Sequence, residues 1–370
     1  FSSGSEYFKS LLSDIVCAEK SILLESYIFK NDVLGKQIIH ALIAAAQRGI
    51  TVKFLVDGCG NPYFSTIAKH LELANIEVKI YHPFPWHIWN WSRSVVKLPL
   101  LLKWIYLILK IARRNHRKIC LIDDNIAYIG SMNICKDHIS HHDGGNNWRD
   151  IGVRLTDTNF SELTNAMETC WYHRSPKEVL RDAFKKIGRD PIIRLNNTRH
   201  RRRILYKHLL RRMRRSTRRI WITNAYFVPD NRLLRQLKEA ARNGVDVRII
   251  LPHKGDTFLP MPWAASAFYH SLLKVNIRIF EYLPSILHAK SIIIDDWIMI
   301  GSTNLDYLSL FNNLEVDIRL THPQSKAQVE SFFVQDADNA KEISIDNLAL
   351  HRPWYQRFIG RLMLYGKYLI

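Results

Sequence analysis

One string of residues occurs twice in this chain, and that repetition constrains the fold more than any other feature. The first copy is His116-Arg117-Lys118, four residues, Asp123, six residues, then Gly130-Ser131-Met132-Asn133. The second is His288-Ala289-Lys290, four residues, Asp295, five residues, then Gly301-Ser302-Thr303-Asn304. Each copy sets a titratable ring, an ammonium, a carboxylate and an amide within a short strand-turn-strand stretch. A His two residues from a Lys on a strand shares a face with it. A fixed positive charge beside neutral amide donors suits a tetrahedral phosphate oxyanion. A His outside a metal-ligand set can attack phosphorus or protonate a leaving oxygen near neutral pH. Two of them can divide those roles. Asp123 and Asp295 suit either a carboxylate that fixes a His tautomer or one that holds the ammonium. No Cys/His set has zinc spacing and no P-loop glycine pattern is present. The expected reaction therefore needs no metal and no cofactor.

The surroundings repeat as well. Ser21 to Phe29 reads as a buried strand and is answered by Arg219 to Phe227. A helix carrying Ile38, Ile39, Leu42, Ile43 and Ala46 ends at Arg48-Gly49 and is answered by Leu233 to Ala241. Ile50 to Val56 is answered by Val245 to Leu251, and the strand around Ile80 by Val275 to Phe280. Strands alternating with helices predict an α/β fold of two homologous lobes. Each lobe is expected to be a mixed, largely parallel sheet flanked by helices. A pseudo-twofold would relate them and set His116 and His288 face to face. The expected boundaries are 1–180 for the first lobe, 181–216 for a basic connecting segment, 217–345 for the second lobe and 346–370 for a basic, aromatic C-terminal segment.

The copies differ in one place. From Ile80 to His116 is 36 positions, whereas from Ile279 to His288 is 9. The first lobe thus carries an insert, roughly 82–114, that the fold does not require. It holds Trp86, Trp89, Trp91 and Trp104, and a helix starting near Pro99 would gather Lys103, Lys110 and Arg114 on a narrow face among Leu and Ile. That pattern is too short and too basic to span a bilayer and suits a helix lying in a membrane interface. Arg201 to Ser216 predicts a second, strongly basic helix, and 351–370 a third, weaker candidate in which Gly360 and Gly366 oppose helix formation. The net charge of +19 calls for an anionic partner. Five cysteines without a CxxC pair predict reduced, mostly buried thiols.

The paired string resembles the duplicated HxKxxxxD signature of the phospholipase D superfamily, and the resemblance covers nearly the whole chain. Within it, the chain looks similar to bacterial cardiolipin synthases of the shorter type. That narrower likeness is carried by His116-Arg117-Lys118-Ile119 with Ile129 to Asn133, by Trp148-Arg149-Asp150, and by Asn304 to Leu310 ending at Asn313-Leu314-Glu315. The resemblance implies a phosphatidyltransferase that joins two phosphatidylglycerols through a phosphohistidine and releases glycerol. It would make His116 the nucleophile and His288 the general acid/base. Lys118, Lys290, Asn133 and Asn304 would hold the phosphate, together with Ser131 and Ser302. Asp123 and Asp295 would complete the catalytic strings as supports, and Asp150 and Glu315 would orient the histidines. The implied partners are phosphatidylglycerol and a membrane surface, with no nucleic acid expected. The implied location is the cytoplasmic face of a bacterial inner membrane, peripheral or anchored through residues upstream of Phe1. A phospholipase D that hydrolyses or exchanges head groups would carry the same residues, and a nuclease of the superfamily would suit the charge.

Overall fold

The computed structural model describes residues 1–172, 188, 190–256, 260–348 and 352–366. In the first lobe, β1 (Ser21–Ser26), β2 (Thr51–Asp57), β3 (Glu77–Tyr81), β4 (Ile119–Ile122), β5 (Ile126–Gly130) and β6 (Gly152–Leu155) form one sheet in the order β3-β2-β1-β4-β5-β6. The second sheet contains β7 (Ile193–Leu195), β8 (Arg219–Thr223), β9 (Asp246–Pro252), β10 (Arg278–Tyr282), β11 (Ser291–Ile294), β12 (Trp297–Gly301), β13 (Val316–Leu320) and β14 (Ala340–Ile343). Its order is β14-β10-β9-β8-β11-β12-β13-β7, so its six central strands repeat the first sheet and one strand is added at each edge. The duplication seen in sequence is therefore a duplication of topology.

Both sheets are mixed, but antiparallel pairings outnumber parallel ones. β1, β2 and β3 run parallel, as do β8, β9 and β10. From β4 and β11 onward every pairing is antiparallel. The physical reason lies in the motif itself: a short turn after each Asp folds the chain back as a hairpin, which only antiparallel strands allow. The turn also explains why the copies differ by one residue between Asp and Gly. In the first hairpin Ile122 pairs with Ile126, leaving three residues in the turn; in the second Ile294 pairs with Trp297, leaving two. Asp123, Asp124 and Asp295 take the positive φ these tight turns require.

Alternation along the central strands builds three buried layers. In β4, Cys120 and Ile122 face the first lobe's helices while Ile119 and Leu121 face the second lobe. In β11, Ile292 and Ile294 face the second lobe's helices while Ile293 turns to the first. The two sheets thus share a core of Ile119, Leu121, Ile129, Ile293, Ile298, Ile300 and Ile318, and the strand ends that carry the two strings are brought side by side. No disulfide forms: Cys120 and Cys135 are buried, Cys59 and Cys170 partly buried and Cys17 exposed. The expectation of mostly buried thiols holds fully for only those first two.

The insert forms the expected helix at Leu100–Leu109, but its basic face is not the exposed one. Lys103 is buried, its Nζ donating to the Trp91 carbonyl at 3.0 Å. Lys110 caps the helix, and Arg114 lies beyond it in a buried segment, donating to the carbonyl of His82 at 2.6 Å. Leu100, Leu101, Leu102, Trp104, Ile105 and Leu109 are exposed instead. The basic helix runs Arg199–Arg215. A C-terminal helix spans Trp354–Met363, and Gly360 serves it: a Cβ there would overlap the Trp263 carbonyl. His351, Lys367 and Ile370 of the C-terminal candidate, and 181–187 of the connecting segment, lie outside the described residues. Among the described residues no helix is long and apolar enough to cross a membrane.

Candidate active site

The two histidines stand on the segments that enter β4 and β11. Each is pinned by the other lobe's backbone: His116 N–H donates to the Leu314 carbonyl at 3.0 Å, and His288 N–H to the Arg149 carbonyl at 2.8 Å. The residue after each of those carbonyls is a carboxylate. Glu315 places both oxygens 3.0 Å from His116 Nδ1, and Asp150 places Oδ2 2.8 Å from His288 Nδ1. The partnership is crossed, so each lobe's histidine is oriented by the opposite lobe's carboxylate. A carboxylate on Nδ1 fixes the proton there and leaves Nε2 free to react.

Lys118 and Lys290 come from the same strands, two residues on, as the strand period requires. Each folds back to its own histidine's carbonyl, Lys118 Nζ at 2.7 Å and Lys290 Nζ at 2.5 Å. Asn133 fixes its side chain by accepting the Ile28 N–H at 3.2 Å. The matching Asn304 is buried, and among the described residues its Oδ1 has no hydrogen-bond partner.

Four sequence-predicted site residues do other work. Ser131 Oγ donates to Asp150 and to the Ile151 carbonyl. Ser302 Oγ donates to Glu315 at 2.5 Å. Both serines thus hold the orienting carboxylates. Asp123 and Asp295 sit at the far ends of β4 and β11, roughly 20 Å along the chain from their histidines at strand rise. Asp123 accepts the N–H groups of Glu19, Lys20 and Ser21 at 2.7–2.9 Å. Asp295 accepts those of Thr217, Arg218 and Arg219 at 2.9–3.1 Å. They cap the chain entering β1 and β8 and touch no site group.

Other residues meet the site without having been foreseen. His138 sets Nδ1 2.9 Å from Asp150 Oδ2. Asp256 places Oδ2 3.7 Å from His288 Nε2, the reactive nitrogen, and its other oxygen accepts the Tyr226 hydroxyl at 2.8 Å. The Tyr27 ring stands edge-on to His116 at 4.7 Å. Spacing could have found His138, five residues after Asn133 as Ser309 is after Asn304; Asp256 has no such signal.

Burial sets the protonation states. It pushes His116 well below the usual imidazole range, and Lys118 and Lys290 push in the same direction, so the ring is neutral. Burial and Lys290 bring His288 down to about 4, against the pull of Asp150. Burial lowers Lys118 to about 7 against the pull of Glu315, and it lowers Lys290 as well. The two carboxylates part ways. Burial raises Glu315 to about 7. Burial works in the same direction on Asp150, but the neighbouring His288 and His138 rings overcome it and hold Asp150 well below its ordinary value. His138, Asp150 and His288 also gather ligand-type atoms within 4.8 Å of one another. Both ring nitrogens lie close to the same oxygen, His138 Nδ1 at 2.9 Å and His288 Nδ1 at 2.8 Å.

Two neutral histidines, each with Nδ1 on a carboxylate, with two lysines and two amides gathered where the lobes meet, define a phosphodiester-transferring enzyme of the phospholipase D superfamily. The chain belongs to the family described as "Cardiolipin synthase, PLD-like domain", whose model matches residues 11–171 and 209–337. It is 33% identical over 329 residues to cardiolipin synthase B of Escherichia coli (strain K12), covering 85% of this chain and 74% of that one. It is 30% identical over 365 residues to a cardiolipin synthase of Alkalihalophilus pseudofirmus, covering 96% and 69%. Its fold matches the crystal structure of a phosphatidylserine synthase from Haemophilus influenzae, with a TM-score of 0.74, 14% identity and coverage of 100% and 94%.

Proposed function

We propose that this protein is a cardiolipin synthase that transfers a phosphatidyl group from one phosphatidylglycerol to another and releases glycerol. The names carried by its relatives support that activity. The carrying observation in the structure is the pair of crossed histidine–carboxylate contacts with unlike carboxylates. His116, neutral and with Nε2 free, attacks phosphorus. His288 gives its Nε2 proton to the departing glycerol oxygen as the P–O bond breaks, leaving a phosphohistidine on His116. The ionised Asp150 stabilises the imidazolium form that this role needs. The free enzyme keeps His288 neutral, and the anionic phosphodiester supplies the charge that draws a proton onto it. In the second half, His288 takes the proton of the incoming hydroxyl as its oxygen attacks phosphorus and the P–N bond breaks, returning His116 to its neutral form. Lys118, Lys290, Asn133 and Asn304 hold the phosphoryl oxygens.

The partner is an anionic phospholipid surface. Support comes from the exposed apolar residues of the insert helix and from Trp354, Tyr355, Phe358 and Leu362 of the C-terminal helix. Both helices rise from the end of the sheets that carries the site. The insert links β3 to His116, and the C-terminal helix packs on Met261–Ser266 just beyond Asp256. A water-excluding bilayer over that end would favour a lipid hydroxyl over water as acceptor. The five free thiols favour the cytoplasmic face. Exposed apolar surface of this kind disfavours the nuclease reading.

Vesicles of phosphatidylglycerol alone test the activity. Cardiolipin and glycerol in equal amounts are expected; phosphatidic acid and glycerol would make the enzyme a hydrolase. His116→Ala should abolish turnover and the phospho-enzyme trapped by denaturation at alkaline pH, where a phosphohistidine survives. Covalent labelling that persists in His116→Ala would transfer the nucleophile role to His288.

A further inference from the structure

The two sides of the site are lined differently. On the His116 side the Tyr27 ring stands edge-on at 4.7 Å, and Lys118 Nζ lies over that ring at 5.1 Å. On the His288 side stands a carboxylate, Asp256, with Oδ2 3.7 Å from His288 Nε2. Its other oxygen accepts the Tyr226 hydroxyl at 2.8 Å, which fixes how the carboxylate is turned. The charge of Asp256 also reaches His116 and Lys290 and favours the protonated form of each. Asp256 therefore faces the reacting groups of both lobes.

The internal repeat shows that the two copies use this position differently. Asp256 comes eleven residues after Val245, and Asn61 comes eleven after the matching Ile50. Asn61 is buried and spends its amide on the backbone. Its Oδ1 accepts the Phe29 N–H, and its Nδ2 donates to the carbonyls of Tyr27 and Asp57, each at 2.8 Å. Asp256 turns instead to a tyrosine hydroxyl and to the reactive nitrogen. The second lobe has thus set a hydrogen-bond acceptor where the first lobe has a structural amide.

A carboxylate accepts hydrogen bonds and donates none, and it repels a phosphodiester anion. The phosphoryl oxygens therefore belong toward Lys118 and Lys290, and substrate atoms beside Asp256 must be hydrogen-bond donors. His288 Nε2 takes the reacting alcohol oxygen. With hydrogen bonds of about 2.8 Å on either side, a hydroxyl on the carbon next to that oxygen reaches across the 3.7 Å gap to Oδ2. We propose that Asp256 selects the alcohol: it accepts a hydrogen bond from the hydroxyl adjacent to the reacting oxygen, so the site favours head groups that are vicinal diols. A glycerol that reacts through a terminal oxygen carries that hydroxyl, whether it departs or arrives within a second phosphatidylglycerol. The inference rests on the alcohol side given to His288 above.

Competition between two donors tests the selection. Mixed vesicles carry equal phosphatidylglycerol and phosphatidyl-n-propanol, and the glycerol and n-propanol released at early times are measured together. Damage to the fold or to membrane binding affects both and cancels in their ratio. A weakened acid slows the more basic n-propanol leaving group at least as much, so it cannot mimic a falling ratio. Asp256→Ala should lower the ratio of glycerol to n-propanol by about tenfold or more, as loss of a hydrogen bond to a charged acceptor does. Asp256→Asn, which keeps an acceptor oxygen, should lower it less. Asp256→Leu, similar in shape and without an acceptor, carries the alanine expectation should that variant not fold. A ratio equal to the parent's in the alanine or leucine variant would overturn the proposal. So would a parent that releases ethanolamine faster than glycerol from vesicles of phosphatidylethanolamine and phosphatidylglycerol, because the carboxylate would then serve an ammonium. The lipid product is read separately: phosphatidic acid in place of cardiolipin would overturn the synthase activity, while the alcohol ratio still decides for or against Asp256.

Discussion

At the scale of single residues, the repeated string mixes chemistry with architecture. His116, Lys118 and Asn133 converge on the cleft, yet Asp123 turns away to cap three backbone N–H groups. Asp123→Ala should therefore lower stability by about 1 kcal/mol, as loss of a cap does, and leave turnover per folded molecule unchanged. Melting curves and active-site titration check both halves; a large fall in turnover would restore a chemical role. Spacing alone could not separate these duties, because a strand displays residue type but not which end meets the other lobe. The contacts of the serines were hidden for a related reason. A hydroxyl near a phosphate site suits the anion, but Ser131 and Ser302 lie on the neighbouring strand ends, where Asp150 and Glu315 lie nearer. A different residue gives the pH response. His82, where the insert begins, is fully enclosed, and burial with Arg113 and Arg114 lowers it to about 3. Its folded pKa lies below its unfolded one, so the unfolded chain gains protons first. The stability it contributes is complete above about pH 6.5 and lost as pH falls toward 3. At pH 5 that loss is about 2 kcal/mol. His82→Gln should shrink the drop in melting temperature between pH 7 and pH 5, and an unchanged drop would refute the assignment.

At the scale of elements, the parallel trios and the hairpins were legible because their apolar periods are strong. The edge strands β7 and β14 were not: at three and four residues they are too short to show a period. The insert helix shows how a helix-wheel argument can name the right element and the wrong face. Lys103 turns inward because the Trp91 carbonyl offers its ammonium a partner, and the Trp91 ring lies 5.7 Å away. The apolar residues are left outside. Replacing Leu101, Trp104 and Ile105 with Ser should weaken flotation with phosphatidylglycerol vesicles by at least about tenfold, at about 25 cal/mol per Å² of apolar surface withheld from lipid, without lowering the melting temperature. Flotation equal to the parent's would remove this helix from the membrane contact. Gly360→Ala should instead destabilise the C-terminal helix, since the added carbon meets the Trp263 backbone.

At the scale of the whole molecule, the charge and the apolar surface point in different directions. Arg211, Arg212, Arg214 and Arg215 end their helix just before β8 begins, at the edge where Asp295 caps the chain. The apolar helices flank the opposite edge, where the histidines stand. A bilayer seated on those helices leaves these arginines on the far side. Neutralising Arg211, Arg214 and Arg215 should therefore leave flotation on anionic vesicles nearly unchanged, whereas a marked loss would mean that the protein docks on its basic flank. The crossed carboxylates carry a further implication, for descent. Because each histidine is oriented by the other copy's acid, removing either half would strip the remaining histidine of its partner. A chimera that takes one half from a distant relative would have to match both a carboxylate and a histidine across the seam. The two copies have been free to diverge in sequence, to Asp with an imidazole on one side and to Glu with a hydroxyl on the other, but not to part company.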